Sequence, residues 1–290
     1  MSTFLQYLFS GLTVGSIYAL SALGFTIVYN ARGIVNFAQG DFLMLGGMVT
    51  ATLVPLGWSL PAAISVAVVV TVVCAALLQR FAIAPAGKAD PVSLIIITIG
   101  ASIFIQGIAQ NAMGRNQHIV PSFSGDAPIH FLGASLLPQS LWAMGGAAAL
   151  VAGVTWFFRG SLVGKGMQAM AINADAARLM GIRNGSMLLL AFCLSAFIGA
   201  VAGALAAPIT TTVYDIGLPL GLKGFVGATL GGLGNGFGAV VGGLLLGIME
   251  AMIAGYVSPA YKDAVPFVLI IVIMLVVPQG LFGSRVKDRV

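Results

Sequence analysis

Long apolar runs that contain almost no charged residues constrain this chain more than any other feature. The 290 residues are 59% hydrophobic and only 7% charged, whereas about 25% of the residues in soluble domains are charged. So few charges could not cover a soluble protein of this length. Each run approaches the roughly 20 residues of a helix that crosses a bilayer, and a barrel strand needs only about 9–11. The sequence therefore predicts an all-α, polytopic membrane helical bundle.

Hydropathy predicts about eight or nine spans within one transmembrane domain, residues 1–290. Seven are expected at Phe4–Tyr29, Gln39–Gly57, Leu60–Gln79, Val92–Met113, Ser140–Phe158, Met187–Pro208 and Ala264–Phe282. The apolar stretch from Leu222 to Tyr256 is interrupted by GGLGNGFG at Gly231–Gly238. It forms either two crossings or a re-entrant half-helix followed by one long returning helix.

Basic residues predict the orientation of the bundle. With the C-terminus inside, the cytoplasmic segments contain Arg32, Arg80, Lys88, Arg159, Lys165, Arg178, Arg183, Arg285, Lys287 and Arg289. The external segments then contain only Arg115, Lys223 and Lys262. Cytoplasmic loops of membrane proteins are enriched in Lys and Arg, so we expect an external N-terminus and a cytoplasmic C-terminus. The net charge of +5 is thus a topology signal and does not indicate a nucleic-acid partner.

Two segments between spans are long enough to have structure of their own. The external one, residues 114–139, is expected to be a solvated loop, and its His118 and His130 lack the neighbouring Cys or Glu of a metal site. The internal one, residues 159–186, is rich in helix formers between Gln168 and Met180. Gly181 follows where a left-handed C-cap is expected. An apolar stripe is predicted at Met170, Ile172, Ala176 and Leu179.

This internal helix fits either a lipid surface or a partner protein. An interfacial helix usually carries many basic residues and Trp or Phe, which the stretch from Gln168 to Met180 lacks. A groove on a partner is therefore the favoured interpretation.

No catalytic, cofactor or nucleotide motif is found. GSLVGKG at Gly160–Gly166 lacks the spacing of a phosphate-binding loop, so any energy from ATP must come from another chain, and no enzyme activity is expected. Glu250 is the only carboxylate deep in a predicted span. It forms either a structural ion pair with Lys223 or a group used in solute passage.

A polar interruption, YNARGIVNFAQGD at Tyr29–Asp41, separates the first two spans. One interpretation is a short cytoplasmic turn in which Asn36 caps the next helix. The other is a break within the bundle, since irregular backbone is tolerated at membrane depth only against protein or a wet cavity. In that case Asn36, Gln39 and Asp41 line or gate a solute path, and Arg32 anchors its inner end.

Two segments of the chain have a similar pattern. Val28–Gly47 and Val213–Gly232 each begin with Val-Tyr-Asn/Asp and end with Gly-Gly. By the predicted topology the first begins inside and the second outside, as in an inverted-topology repeat. A chance alignment of two glycine-rich segments is the alternative.

Three motifs resemble the LivH-type permeases of bacterial branched-chain amino acid ABC transporters. The stretch Gly11–Gly47 is similar to the N-terminal half of that family, Gly164–Ile182 to its cytoplasmic coupling segment, and Val226–Glu250 to its glycine-rich C-terminal signature. The resemblance runs in order along nearly the whole chain. Ribose-type sugar permeases share the layout more loosely.

The resemblance implies a multi-pass permease subunit of the bacterial inner membrane that needs no cofactor. Its implied partners are a second permease subunit, two ATPase subunits and a periplasmic substrate-binding protein. It assigns ATPase docking to Gln168, Asn173, Asp175, Arg178, Leu179 and Gly181. A leucine-like amino acid, urea or an amide would suit the layout as a solute. An ATP-independent channel for a small polar solute is the alternative function.

Overall fold

Eleven helices and one short hairpin form the described part of the chain. The structure is a computed structural model that describes residues 2–87, 89–131 and 133–283. The helices are α1 Ser2–Arg32, α2 Gln39–Leu53, α3 Leu60–Leu78, α4 Pro91–Met113, α5 Pro138–Gly160, α6 Leu162–Ile172, α7 Ala174–Leu179, α8 Asn184–Thr210, α9 Gly217–Gly231, α10 Gly236–Tyr256 and α11 Val265–Val276. Short helices of other types occur at Val54–Leu56, Gln79–Ile83 and Pro259–Ala264.

Seven helices in the described ranges are long and apolar enough to cross a membrane. They are α1, α3, α4, α5, α8, α10 and α11, some lengthened by an adjoining turn. Helices α2 and α9 have only 15 residues each. At 1.5 Å per residue they are about 22 Å long, which is shorter than a hydrocarbon core of about 30 Å. The segment from Leu222 to Tyr256 is therefore a short helix followed by one long returning helix.

The polar interruption after α1 lies inside the bundle. Residues 33–38 are not helical, and Ile34, Asn36 and Ala38 within them are buried. The contacts of Gln39, at the start of α2, show that the chain then turns back. Its side-chain oxygen accepts a hydrogen bond from the Ser195 hydroxyl. The same hydroxyl also donates to the Gly24 carbonyl oxygen at 2.9 Å. Gly24 lies two turns before the end of α1. The buried break is thus the interpretation that the structure supports over a solvent-exposed turn.

A second non-helical break follows α8, and it leads the chain to the start of α2. The backbone of Thr212 pairs with that of His118, and α9 then begins at Gly217, packed against Gly40 and Asp41 at the start of α2. From this contact, α2 and α9 run toward opposite ends of the bundle. Gly47 of α2 lies beside Thr212, whereas Gly234, just after α9, accepts a hydrogen bond of 2.9 Å from Asn30 near the end of α1.

In each half of the bundle, the first long helix packs against the short helix of the other half. Helix α1 packs against α9 and α10, and α8 packs against α2 and α3. Each half thus consists of a long helix, a non-helical break, a 15-residue helix and a returning long helix. This correspondence, with short helices that run in opposite directions, is the arrangement that an inverted repeat predicts.

Glycines allow the central helices to approach closely. Gly11 and Gly15 of α1 face Gly243 and Gly247 of α10, where a Cβ on Gly247 would come within 2.7 Å of the Gly11 carbonyl oxygen. Gly203 of α8 packs in the same way on α2. Small residues four apart commonly line helix contacts in membranes, where close backbone approach replaces the hydrophobic effect.

The external segment is more ordered than expected. Instead of a purely irregular loop over 114–139, strands β1 Ile129–Phe131 and β2 Ala134–Leu136 form an antiparallel hairpin, and α5 already begins at Pro138. Gln6 of α1 donates to the Ser135 carbonyl oxygen at 2.9 Å and accepts from the Ser135 amide at 2.7 Å. This hairpin was missed because its strands are only three residues long, too short to show alternation.

The last span ends earlier than predicted. Helix α11 stops at Val276 rather than at Phe282, because Pro278 and Gly280, with φ +75°, follow. The amide of Leu281 instead donates to the Leu230 carbonyl oxygen at 2.9 Å, which fixes this end against α9. Four of the predicted cytoplasmic basic residues lie outside the described residues: Lys88, Arg285, Lys287 and Arg289.

Candidate functional site

The internal segment between α5 and α8 contains two helices rather than one. Asn173 ends α6 in an extended conformation, φ −155° and ψ 105°, and its side-chain oxygen accepts from the Ala176 amide at 2.9 Å. The prediction of one continuous helix from Gln168 to Met180 is therefore wrong. Asn is a poor residue within a helix and a good N-cap, so it terminates α6 and starts α7.

The apolar residues of this segment face in different directions. Met167 and Met170 are buried against the bundle, as is Ala177. Ile172 is 87% exposed and Leu179 is 89% exposed. The predicted stripe of Met170, Ile172, Ala176 and Leu179 is consequently wrong, since only Met170 is buried. A single chain leaves large apolar side chains uncovered at the tip of the segment.

All six residues assigned to ATPase docking are exposed: Gln168, Asn173, Asp175, Arg178, Leu179 and Gly181. Gly181 has φ +84°, which confirms the predicted left-handed conformation. Its amide donates to Arg178 at 3.0 Å, and the Ile182 amide donates to Ala177 at 3.0 Å. These bonds satisfy carbonyl groups that the end of α7 would otherwise leave unpaired.

The segment is attached to the bundle through one residue of each of its two helices. Met167 belongs to an apolar cluster with Leu23 and Ile27 of α1. The Asn184 side chain at the start of α8 donates to the Ala174 carbonyl oxygen at 2.9 Å. These contacts join the segment to α1 and α8, the two long helices that each precede a non-helical break.

The side chains predicted to line a solute path are sealed within the chain. Asn36 and Gln39 are 0% exposed and Asp41 is 1% exposed. Arg32, the predicted anchor, is half-buried at the end of α1. In this conformation none of the three buried side chains borders an open channel within the described part of the molecule, so lining would require the packing around them to open.

Hydrogen bonds link the buried break to helices that the sequence did not assign to it. The Gln39 side chain donates to the Ser195 carbonyl oxygen at 3.3 Å. Gln106 of α4 donates to Asp41 Oδ1 at 2.8 Å, and the Phe37 amide donates to Thr98 Oγ1 at 3.2 Å. Isolated polar residues in the apolar spans were the only sequence signal for these partners.

Two polar atoms at the break lack hydrogen-bond partners among the described residues. They are Asn36 Nδ2 and Asp41 Oδ2. An unsatisfied buried polar group costs about 1–3 kcal/mol.

A buried ion pair lies toward the opposite end of α1 from this break. Lys223 Nζ of α9 is 3.2 Å from Glu250 Oε1 of α10 and 2.9 Å from Asp263 Oδ1. The Tyr18 hydroxyl donates to Glu250 Oε2 at 2.8 Å, and the Glu250 side chain is 2% exposed. Lys223 therefore connects two helices to the turn that precedes α11.

The two histidines of the external segment have separate partners. His118 Nε2 lies 3.0 Å from the Met113 carbonyl oxygen, and His130 Nδ1 lies 3.0 Å from Ser135 Oγ. Across the ranges that the structure describes, no group of three His, Cys, Asp or Glu side chains is placed to hold a metal ion.

Known proteins resemble the chain over its full length. The model of the family described as branched-chain amino acid transport system, permease component, matches residues 7–274. The high-affinity branched-chain amino acid transport system permease protein LivH of Escherichia coli K12 is 36% identical, covering 99% of this chain and 98% of that protein. The corresponding protein BraD of Pseudomonas aeruginosa is 31% identical over the same shares.

More distant proteins are also similar to the chain. The ribose import permease RbsC of Haemophilus influenzae is 24% identical over 93% of this chain and 84% of its own length. The solved structure of PsaBC from Streptococcus pneumoniae in complex with Fab is 13% identical, with a TM-score of 0.50 over 95% of this chain and 92% of that chain. At that identity the likeness concerns the fold alone. The family match and the identity to LivH together show that this chain belongs to the branched-chain amino acid transport permeases.

Proposed function

We propose that the chain is the membrane-spanning permease subunit of an ATP-driven importer that carries branched-chain amino acids across the bacterial inner membrane. The observation that carries this proposal is the exposed apolar tip of α6 and α7. Ile172, Leu179 and Met180 are each more than 80% exposed, in a segment that also exposes Asp175 and Arg178. Clustered apolar side chains with charged neighbours suit a protein groove.

The partner at this tip is an ATPase subunit. The chain has no nucleotide-binding motif of its own, so ATP must act through another protein. The attachment of the segment to α1 through Met167 and to α8 through Asn184 supports this role. Closure of two ATPase subunits would displace these helices and alter the non-helical breaks that follow them.

The remaining partners are a second permease subunit, which is a different chain, and a periplasmic binding protein that delivers the solute. The N-terminus is external in this proposal. The hairpin and the start of α1 are joined at Gln6 and Ser135, which is consistent with one shared external face. The ATP-independent channel has no specific observation in its favour.

The solute path passes the buried break at Asn36, Gln39 and Asp41. The unpartnered atoms of Asn36 and Asp41 and the meeting of two short helices support this assignment, because helix ends within a membrane offer polar groups to a solute. Replacing Asn36 and Gln39 together by Leu should reduce uptake about tenfold or more while abundance stays normal, since each amide that contacts the solute contributes about 0.5–1.5 kcal/mol. Unchanged uptake would remove both residues from the path.

Reconstitution tests the function directly. The permease is co-expressed with the ATPases, second permease and binding protein encoded beside it, and the complex is placed in proteoliposomes. We expect uptake of radiolabelled leucine that requires both ATP and the binding protein. ATP-independent uptake of urea or an amide by the permease alone would identify a channel instead.

A further inference from the structure

Thr211 has a backbone conformation that side chains rarely adopt. It follows the last residue of α8 with φ +53° and ψ 166°. Among the described residues, it alone combines a side chain with a positive φ. A β-branched residue is strained in this region, which is occupied almost entirely by glycine. The Thr211 hydroxyl donates to the Thr210 carbonyl oxygen at 2.6 Å, a local bond that does not tie the residue to another helix.

The corresponding position in the first half of the bundle is a glycine. Residues 33–38 separate α1 from α2, and residues 211–216 separate α8 from α9, so the two breaks have equal lengths and both lead into a 15-residue helix. Each break begins with a positive φ, which is +70° at Gly33 and +53° at Thr211. The first half therefore makes this turn without steric strain, whereas the second half makes it with a strained residue.

Contacts that follow Thr211 hold it in this conformation. The Thr212 amide donates to the His118 carbonyl oxygen at 2.9 Å, and the His118 amide donates to the Thr212 carbonyl oxygen at 2.9 Å. Tyr214 and Ile216 pack against the apolar cluster formed by α2, α3, α4 and α8. A strained conformation persists only where the surrounding structure fixes it. A rearrangement that loosens these contacts would therefore release the strain.

Thr211 lies between the helix that carries the α6–α7 segment and the short helix at the first break. Helix α8 begins at Asn184, whose side chain donates to the Ala174 carbonyl oxygen of α7 at 2.9 Å, and it ends immediately before Thr211. Helix α9 begins at Gly217, where a Cβ would lie 3.0 Å from Asp41 Cα. A movement of α8 relative to α9 would therefore change the backbone at Thr211.

We propose that Thr211 is a strained hinge between α8 and α9, which is strained while the first break is closed and relaxes when the packing around that break opens. The inference rests on the proposed function and adds to it a residue that favours opening. The strain raises the free energy of the closed conformation alone, so the open conformation is reached more often. Strain that persisted in both conformations would not change their populations.

The test measures opening in the assembled complex, placed in lipid nanodiscs with ATP, in a background without Cys74 and Cys193. Ala38→Cys is the probe, because Ala38 lies in the first break and is 0% exposed. N-ethylmaleimide can reach it only when the packing opens, and mass spectrometry follows the rate of labelling. Ala127→Cys, at an exposed position, reports the reactivity of the reagent and should label equally fast in every variant.

Three variants separate strain from other properties of the residue. Thr211→Gly removes the strain and should slow labelling at position 38 about fivefold, which corresponds to about 1 kcal/mol. Thr211→Ala loses the hydroxyl but keeps a Cβ and most of the strain, so it should label at nearly the wild-type rate. Asp215→Gly adds a glycine to the same break at an exposed residue whose φ is negative, and it should not slow labelling.

Each outcome decides for or against the hinge. Labelling of Thr211→Gly that equals or exceeds the wild-type rate would overturn it, as would equal slowing by Thr211→Ala or by Asp215→Gly. No labelling of the wild type at position 38 would also overturn it, because the break would then remain closed. Labelling requires no solute, so the proposed function is judged separately. If the wild-type complex imports leucine with ATP, that function stands without the hinge, and if it imports no branched-chain amino acid, the function itself fails.

Discussion

Single residues at the cytoplasmic tip determine whether its two helices hold their shape. Gly181 has φ +84°, and a Cβ at this position would meet no atom within 4 Å. The restriction is therefore one of backbone conformation rather than of space. A β-branched residue in this region is strained by about 1–3 kcal/mol, whereas Asn adopts it readily.

Gly181→Val should uncouple ATP hydrolysis from transport. The strain would displace the end of α7 and its exposed Leu179, so the leucine imported per ATP hydrolysed should fall about fivefold or more. Gly181→Asn is the matched control and should remain coupled. Parallel ATPase and uptake assays in proteoliposomes measure the ratio, and normal coupling of the Val variant would contradict a docking role for this turn.

Loss of Lys223 should destabilise the bundle. Lys223→Met leaves the Glu250 carboxylate, 2% exposed, without its cation. Breaking a buried pair by removing one partner costs about 3–5 kcal/mol. We expect a clear fall in the melting temperature of the purified complex. Lys223→Met combined with Glu250→Gln removes the stranded charge and still offers Tyr18 an acceptor, so it should recover most of the loss. Equal melting of all three proteins would show that the pair contributes nothing to stability.

At the scale of elements, the meeting of α2 and α9 organises the centre of the bundle. A Cβ at Gly40 would overlap the Gly217 carbonyl oxygen and lie 2.8 Å from Gly221 Cα. Backbone rather than a flexible side chain fills this space, so it cannot yield without moving a helix. The polar side chain of Asp41 is held in the same contact.

Gly40→Ala should therefore destabilise the protein by about 1–3 kcal/mol through overpacking. Gly100→Ala in α4 is the matched control, because a Cβ there meets nothing within 4 Å and Ala is the better helix former by about 0.5–1 kcal/mol. Thermal unfolding should place the first variant below the wild type and the second at or above it. A Gly40→Ala protein as stable as the wild type would mean that the two short helices separate easily.

The elements differ in how far the sequence predicts them. Apolar runs bounded by charge, Pro or Gly predict the long helices to within a few residues, as at α4, and the pattern shared by Val28–Gly47 and Val213–Gly232 predicts two segments related as an inverted repeat. The sequence predicts one helix that continues through Asn173, because the many Ala residues around it favour a helix more strongly than one capping residue opposes it. The sequence does not predict the hydrogen bonds from Gln106 to Asp41 and from Ser195 to Gln39, because they depend on which helices become neighbours in the fold.

At the scale of the whole molecule, two sets of segments collect at opposite ends. One end has the start of α1, the hairpin and the turn with Lys262, and the other has Asn30, the segment with α6 and α7, and Gly234. The fold thus links the sidedness of all these segments, so that the orientation of one determines that of the others. Basic residues predict that the α6–α7 end is cytoplasmic.

Two single-cysteine variants test this orientation in a background without Cys74 and Cys193. Ala127→Cys in the hairpin segment and Ala171→Cys in α6 are both exposed small residues, so they differ chiefly in the end on which they lie. A membrane-impermeant maleimide should label Ala127→Cys in intact spheroplasts and should label Ala171→Cys only after permeabilisation. The reverse pattern would invert the topology, and it would place the α6–α7 end outside the cell, where the proposed contact with an ATPase subunit could not form.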